Sequence, residues 1–331
     1  MGNEYINWAV EPVEGKFELK SRDKKIIDNM LHNSRISLSE LGKKLRLSKV
    51  AIFNRIKNLE SRGVIMGYSC FVDFIKLGYS VYQIGVNVNM TIEGKNKFGE
   101  KIKKLEFVNQ VLQLSSGKWN YLIRIICKEE MIDEHLDKVI GAFGQVRSFE
   151  VLNVSKEIFI NKGEENTFES CKGSENLTKL EVDLLYELAR NSRGKIADLA
   201  GKFNCSAQTI VRKIKELKKR GIIFSLFTKI NPFVYGNEMY IFILTTKNRG
   251  IQEKIAKKLV FIKSMGILLN FQNPNIISFH LVSSLKDLVE IEEGVKDYFD
   301  KISDCQFIRI ESQLVYNIFP EDVYRDIISS I

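Results

Sequence analysis

Apolar residues recur at helical spacing in residues 48–65. Three of them fall at i, i+4 and i+7 and therefore share one face of a helix: Ile52, Ile56 and Leu59. Lysine, arginine and asparagine occupy the opposite face. Ser48 stands ahead of the apolar positions as an N-cap, and Gly63 stands where a left-handed C-cap is expected. The stretch predicts a short amphipathic helix with a basic outer face.

The residues before this helix predict two more. An apolar stripe of helical spacing ends at Asn33, and its members are Ile26, Ile27, Met30 and Leu31. Residues 37–45 form a second short helix with Leu38, Leu41 and Leu45 on one side, and a tight turn leads from it to Ser48. Three helices in this arrangement predict a helix-turn-helix. The β-forming residues 64–73 then predict a wing or a linking strand.

The same pattern occurs a second time along the chain. Asn33-Ser34-Arg35 matches Asn191-Ser192-Arg193 at an offset of 158 (191 − 33). At that offset Ser48 meets Ser206, and Gly63 meets Gly221. The second copy of the amphipathic helix buries Ile210, Ile214 and Leu217. Register held without a gap over about sixty residues predicts an internal duplication.

Each helix-turn-helix is followed by alternating and helical patterns in the order β-α-β-β-α-β, which predicts a ferredoxin-like domain. The predicted fold class is therefore α+β, with two winged helix-turn-helix domains and two ferredoxin-like domains in tandem. The predicted divisions are an N-terminal extension (1–18), helix-turn-helix 1 (19–78), ferredoxin-like domain 1 (79–160), a polar linker (161–176), helix-turn-helix 2 (177–236) and ferredoxin-like domain 2 (237–331).

Charge and cysteine usage narrow the class of protein. The net charge of +9 favours a polyanionic partner, although excess lysine that only keeps the protein soluble is the alternative. The five cysteines are odd in number and include no close pair, so neither a disulfide framework nor a zinc ribbon is predicted. No run of 18 apolar residues or signal-peptide pattern is present, which leads us to expect a cytoplasmic protein.

Both copies of the amphipathic helix share one sequence motif, S-x-x-x-[IV]-x-x-[RK]-I-K-x-L-x-x-x-G-[IV]-I. This motif, followed by a βαββαβ domain, resembles the Lrp/AsnC (feast/famine) family of transcriptional regulators. The resemblance covers residues 19–160 and again 177–319. It implies double-stranded DNA as a partner, an amino acid or related small effector, and dimerisation through the ferredoxin-like sheets. With two units in one chain, that dimer is expected within a single polypeptide, as an intramolecular pseudo-dimer, and whole chains are expected to associate further into a homo-oligomer.

The third helix of a helix-turn-helix places its first turns in the major groove, where polar side chains pair with base edges and cations neutralise phosphate. Candidates for base contacts are Asn54, Arg55, Gln208, Thr209 and Arg212. Candidates for phosphate contacts are Lys49, Lys57, Lys213 and Lys215. The N-cap residues Ser48 and Ser206 complete the predicted DNA-binding set. Because the two helices differ at these positions, they should not read the same bases, and a palindromic DNA site is not expected.

The resemblance also implies an effector site at a turn of the form G-x-[YW]-D-[YLF]. Gly117, Trp119 and Asn120 fit this form, with asparagine in place of the usual aspartate. The corresponding residues 272–276 lack both the glycine and the aromatic residue, so the first domain is the better candidate for ligand binding.

Two functions are alternatives to DNA-binding regulation. One is a partner subunit that has lost DNA reading, and the other is a siroheme-decarboxylase-like enzyme on the same architecture. Such an enzyme needs histidine and arginine converging on its substrate, whereas the three histidines, His32, His135 and His280, are predicted to be structural. No catalytic, metal-ligating or phosphate-binding motif is present, so neither catalysis nor a cofactor or metal is expected.

Overall fold

The computed structural model describes residues 19–31, 33–115, 117–161, 164–169, 173, 175–231, 233, 238–260, 262 and 264–331. The predicted N-terminal extension and His32 lie outside the described residues. The elements below are given for this part of the chain.

The first helix-turn-helix begins the described chain. Its elements are α1 (Ser21–Leu31), α2 (Leu38–Leu45), α3 (Lys49–Ser61) and a strand, β1 (Ile65–Val72). The Ser37 and Ser48 hydroxyls accept hydrogen bonds from the N–H groups of Glu40 and Ala51, which caps α2 and α3. Gly63 has a φ of +67°, the left-handed conformation that glycine adopts most readily, and it ends α3 as predicted.

The chain continues with the order β-α-β-β-α-β. The elements are β2 (Ser80–Asn87), α4 (Ile92–Ile102), β3 (Val108–Leu114), β4 (Tyr121–Cys127), α5 (Ile132–Phe143) and β5 (Ser148–Asn161). The stretch predicted as a polar linker differs from the prediction, because it contains β6 (Glu164–Glu169), which pairs antiparallel with β5. Strand hydrogen bonds come from the backbone, so polar composition alone did not exclude this pairing.

The second set of elements follows in the same order. The second helix-turn-helix has α6 (Lys179–Asn191), α7 (Ile196–Lys202), α8 (Ala207–Lys219) and β7 (Ile223–Ile230). It is followed by β8 (Glu238–Thr246), α9 (Arg249–Val260), β9 (Ser264–Asn270), β10 (Ile276–Val282), α10 (Leu285–Glu293) and β11 (Ile302–Tyr316). A last helix, α11 (Glu321–Ser329), was not predicted separately and packs against α6.

The strands β1 and β7 pair with each other in an antiparallel ladder. Among the described residues, neither strand folds back into a hairpin with its own helix-turn-helix, so both are linking strands. Each also bonds to the first helix of the opposite unit. The Ser69 hydroxyl of β1 donates to the carbonyl of Ala189 in α6, and the Thr228 hydroxyl of β7 donates to the carbonyl of Met30 in α1. The two helix-turn-helix units are therefore interlocked.

The remaining described strands form one antiparallel sheet in the order β2-β4-β3-β11-β8-β10-β9-β5-β6. A further pairing of β2 with β5 closes the first eight of these strands into a ring. The ladders β3–β11 and β5–β9 join the first set of strands to the second. Backbone hydrogen bonds thus connect the two sets at both edges, which leaves neither set with an unpaired edge at these junctions.

Four apolar clusters make up the core of the described part of the chain. One contains side chains from both sets of strands, including Trp119, Leu122, Ile243 and Ile308, and continues into the second helix-turn-helix. The helices α4 and α5 cover a second cluster, and α9 and α10 cover a third. The first helix-turn-helix has its own cluster, built mainly around Ile26, Leu41 and Ile52. The outer faces of α3 and α8 remain available to solvent.

Candidate DNA-binding surface and small-molecule pocket

The helix α3 presents a mixed basic and apolar face to solvent. Its inner residues Ile52, Ile56 and Leu59 are buried, as the spacing predicted. The predicted contact residues Ser48, Lys49, Asn54 and Lys57 are exposed. The Ser48 hydroxyl is already used as the N-cap, and Lys57 forms an exposed ion pair with Glu60 at 2.8 Å. An exposed pair of this kind contributes little to stability and can open to reach a phosphate.

The helix α8 forms a comparable surface. Its outer side chains line a shallow groove made by Ala207, Gln208, Val211, Arg212 and Lys215. Three predicted contact residues therefore share one face: Gln208, Arg212 and Lys215. Arg212 lies 3.3 Å from the carboxylate of Glu216 in an exposed i,i+4 pair. The Thr209 hydroxyl, which was predicted to reach a base, is half-buried and lies 3.0 Å from the Ser206 hydroxyl at the N-cap.

Two of the predicted DNA contacts have partners inside their own domains. The Arg55 guanidinium is 2.7 Å from the carboxylate of Asp23 in α1. The Lys213 ammonium is 3.1 Å from the carboxylate of Glu181 in α6, which is only 4% exposed in its side chain. In each pair the acid and the base are 32 residues apart in the sequence (55 − 23 and 213 − 181). These two residues tie the third helix to the first, and their contact with DNA stays a prediction.

The ion pair between Glu181 and Lys213 changes the pKa of both residues. Burial alone would raise the pKa of Glu181, but hydrogen bonds from Thr178 and from Lys213 outweigh it, and the pKa is lowered. The hydrogen bond with Glu181 in turn raises the pKa of Lys213. Glu181 also completes a capping box with Thr178 at the start of α6.

Sequence reasoning passed over three apolar side chains on these surfaces. Val50 is 66% exposed, Phe53 47% and Val211 40%. Val50 and Phe53 lie on the same face of α3 as Asn54 and Lys57, because residues three and four apart are neighbours on a helix. They interrupt the run of basic and polar residues on this surface. The sequence could have indicated them, because each is an apolar residue that lies outside the buried i, i+4, i+7 stripe.

The turn predicted to bind an effector is only partly a surface feature. Trp119 is 1% exposed and belongs to the core shared by both sets of strands, so its contact with a ligand stays a prediction that this burial does not support. Its indole lies against Gly85, where a Cβ atom would come within 2.2 Å of the ring. Gly117 has a φ of +112°, and a Cβ there would lie 2.7 Å from Ile308 of β11. Both glycines serve close packing.

Asn120 does lie at a pocket, of about 520 Å³, between the end of β2, the start of α4 and β11. The lining includes Thr91, Lys95, Gln113, Asn120, Tyr121 and Glu311. The Asn120 side-chain oxygen accepts a hydrogen bond from the Val88 N–H at 2.7 Å, so this residue shapes the pocket wall. Lys95 and Glu311 place opposite charges on the same pocket.

Tyr121 adds an unsatisfied group to this pocket. Its side chain is 2% exposed, and within the described part of the chain its hydroxyl has no hydrogen-bond partner. Burial, and to a smaller extent the nearby Glu311 carboxylate, raises the pKa of Tyr121 to about 12. A buried hydroxyl without a partner costs free energy, which a polar ligand in the pocket would recover.

The corresponding corner of the second set of strands is filled. Asn275 accepts a hydrogen bond from the Thr246 N–H at 3.0 Å, as Asn120 does from Val88. The Gln252 side chain of α9 is 5% exposed and donates to the carbonyls of Asn270 and Asn275. An isoleucine, Ile276, follows Asn275 where Tyr121 follows Asn120. The chain's own glutamine thus occupies this corner.

Both described histidines are packed into the interior, as predicted. The His135 ring is stacked on Phe107, with ring centroids 3.8 Å apart. His280 is fully buried and lies 2.8 Å from the Ser278 hydroxyl and 3.2 Å from the Ile262 carbonyl. Burial lowers the pKa of His280 to about 4. Both imidazole rings are therefore buried rather than exposed at the protein surface.

Capped third helices with exposed basic faces, carried on a mixed α/β body, define the class of helix-turn-helix DNA-binding proteins. Residues 19–66 match the family model of the winged helix-turn-helix DNA-binding domain. The chain is 38% identical over 99 residues to the HTH-type transcriptional regulator LrpA of Pyrococcus horikoshii, covering 30% of this chain and 69% of that protein. It is 34% identical over 125 residues to the HTH-type transcriptional regulator LrpA of Pyrococcus abyssi, covering 36% of this chain and 87% of that protein. The chain belongs to the Lrp/AsnC family of transcriptional regulators and carries its DNA-binding helix-turn-helix.

The fold is also similar to that of an enzyme. The crystal structure of the siroheme decarboxylase NirDL aligns with a TM-score of 0.61 at 12% identity, covering 94% of this chain and 99% of that one. At this identity the likeness concerns the fold alone. Among the described residues, no helix is both long and apolar enough to cross a membrane.

Proposed function

We infer that this regulator binds double-stranded DNA sequence-specifically, with α3 and α8 acting as a pair of different readers. The observation that carries the proposal is the matched geometry of the two helices. Each is capped by a serine, buries three apolar residues and exposes a face with lysine and polar side chains. Lys49, Asn54 and Lys57 are the contacts expected from α3, and Gln208, Arg212 and Lys215 those from α8.

In this proposal the chain is a tandem duplication, and its two ferredoxin-like domains form within one polypeptide the dimer that the family resemblance implies. The same element order on both sides, the β1–β7 pairing and the two junctions of the ring support it. This arrangement fixes α3 and α8 relative to each other. We expect their spacing on DNA to be one or more helical turns, in multiples of about 34–36 Å.

Fluorescence anisotropy with a fragment from the upstream region of its own gene tests DNA reading. Binding should survive random competitor DNA, and log affinity should fall linearly with log salt concentration. Lys57→Ala and Lys215→Ala should each reduce the salt slope by about one, because each removes a phosphate contact. Lys97→Ala, on α4, is the matched control with no expected effect. Binding that competitor abolishes contradicts sequence-specific reading.

The ligand part of the proposal concerns the pocket beside Asn120. Opposite charges from Lys95 and Glu311, together with the unpartnered hydroxyl of Tyr121, suit a small zwitterion such as an amino acid. Isothermal titration calorimetry with the individual amino acids tests this. Glu311→Gln should weaken binding of the active compound and leave DNA binding without ligand unchanged. If no amino acid binds, ligand control fails while DNA reading stands.

A siroheme-decarboxylase-like activity is the second candidate, because the fold is similar to that of NirDL over most of the chain. The packed positions of His135 and His280 argue against it. Incubation with siroheme, followed by mass spectrometry for loss of carboxyl groups, separates the two functions. We expect no product, and any turnover would overturn the assignment as a regulator without catalysis. Absence of DNA binding at low salt would instead favour a partner-subunit role.

A further inference from the structure

The exposed apolar side chains on α3 point to a specific kind of base contact. Val50 and Phe53 stand on the face that also carries Lys49, Asn54 and Lys57. Large apolar side chains exposed to water on a short capped helix gain nothing from that position in the free protein. The same residues become favourable when the helix enters a groove that contains apolar groups.

The major groove of DNA offers one such group, the C5-methyl of thymine. The basic residues around Val50 and Phe53 make a polyanionic duplex the complementary occupant of this face, in preference to an apolar protein surface. Neither Val50 nor Phe53 can form a hydrogen bond with a base edge. Their contribution to sequence reading must therefore come from shape and from apolar contact.

The equivalent face of α8 has a different composition. At the offset of 158, Gln208 stands in place of Val50, Val211 in place of Phe53 and Arg212 in place of Asn54. Glutamine pairs in a bidentate manner with adenine and arginine with guanine, so α8 carries donors for purine edges. Of these three residues only Val211 is apolar, and it is smaller than Phe53. The two faces therefore suit different half-sites.

We propose that α3 recognises thymine through methyl contacts with Val50 and Phe53, and that α8 recognises purine edges through Gln208 and Arg212. The DNA site of one chain is then asymmetric, with a thymine-rich half-site under α3, and the chain binds it in a single orientation. This inference rests on the proposed DNA reading and adds the chemistry of each half-site.

The experiment starts from a preferred site selected by the wild-type full-length chain from a random duplex library. Thymines are then replaced by deoxyuridine, one half-site at a time, which removes only the C5-methyl and keeps base pairing. Loss of one buried methyl should weaken binding about four-fold, and the effect should be concentrated in one half-site. Deoxyuridine in the other half-site should have a smaller effect.

Combining substitutions in α3 with the replacement of thymine by deoxyuridine tests whether α3 makes the contact with the thymine methyl group. Phe53→Ala and Val50→Ala should weaken binding to the thymine site and abolish the difference between thymine and deoxyuridine. Both side chains are exposed and alanine favours helix, so the variants should keep the thermal stability of the wild type. Lys57→Ala is the matched control, because it should weaken binding equally to both duplexes.

Each outcome separates this inference from the wider proposal. If the chain selects no sequence, DNA reading itself fails. If it selects a sequence but binds the deoxyuridine duplexes with unchanged affinity, only the methyl contact is overturned. If the Phe53→Ala variant instead loses self-association in sedimentation velocity while its sensitivity to deoxyuridine is unchanged, the face serves a second copy of the chain and the inference is again overturned.

Discussion

The hydroxyl oxygens of Ser34 and Ser192 lie 2.7 Å apart in the buried interface between the two helix-turn-helix units. The two serines are 158 residues apart (192 − 34), which is the offset that predicts the internal duplication. A residue can contact its own counterpart only close to an axis that relates the two copies. Reciprocal contacts flank the pair: Arg35 donates to the Gly194 carbonyl at 2.9 Å, and Arg193 donates to the carbonyl of Ile36, which the same offset relates to Gly194, at 3.3 Å.

This contact predicts a disulfide within one chain. Replacement by Ser34→Cys and Ser192→Cys together should give a cross-link under mild oxidation, because the two side chains already meet. Non-reducing electrophoresis should show a faster-migrating monomer, and the single variants should not show it. A cross-linked dimer of two chains, with no change in the monomer, would contradict the pairing of the two units within one polypeptide.

The ion pair between Arg55 and Asp23 predicts a structural role for Arg55. Arg55→Ala should lower the free energy of unfolding by about 1–3 kcal/mol, because it removes a charge-assisted hydrogen bond in a partly buried site. Urea denaturation of Arg55→Ala, Asp23→Ala and the double variant measures the coupling between them. If the losses of unfolding free energy in the two single variants add up to that of the double variant, Arg55 and Asp23 are not coupled, which contradicts the structural role of Arg55. Lys49→Ala is the control that should change DNA affinity alone.

The packing of Trp119 on Gly85 predicts a stability effect at a position first assigned to ligand binding. Gly85→Ala should destabilise the protein, because its Cβ would lie 2.2 Å from the indole ring. Trp119→Ala should cost about 3–5 kcal/mol through loss of buried surface and the cavity left behind. Thermal denaturation measures both. Gly99→Ala, at a helical glycine with open space around its Cβ position, should leave the melting temperature unchanged or raise it.

Burial of His280 predicts a loss of stability at acid pH. Its pKa is lowered from 6.5 to about 4, so between these pH values the unfolded chain binds the proton and the folded chain does not. Stability is therefore fully present above pH 6.5 and is lost as the pH falls towards 4, by about 3 kcal/mol in total.

Urea denaturation of wild type and His280→Gln across this range tests the point. The variant should lose most of the slope between pH 6.5 and 4 that the wild type shows. His135→Gln is the comparison, since burial lowers the pKa of His135 in the same direction but His135 is the less buried of the two in the described structure. An unchanged slope in His280→Gln would show that other groups govern the acid transition.

The sequence by itself determined the elements that depend on local patterns. The i, i+4, i+7 stripe predicted which face of α3 and of α8 is buried, the serines predicted where each begins, and Gly63 predicted where α3 ends. The offset of 158 predicted that the same order of elements would occur twice. These features rest on backbone conformation and side-chain period within a few turns, which neighbouring residues control.

Only the tertiary structure decided which distant segments meet. A strand such as β1 offers the same backbone groups to any partner, so its pairing with β7 could not be read from residues 64–73. The same holds for Arg55, whose basic side chain suits phosphate until Asp23 is placed beside it. Trp119 looked like a ligand contact because its motif is local, whereas its burial depends on Gly85 and on the closed sheet around it. Packing between segments far apart in the chain determined these roles.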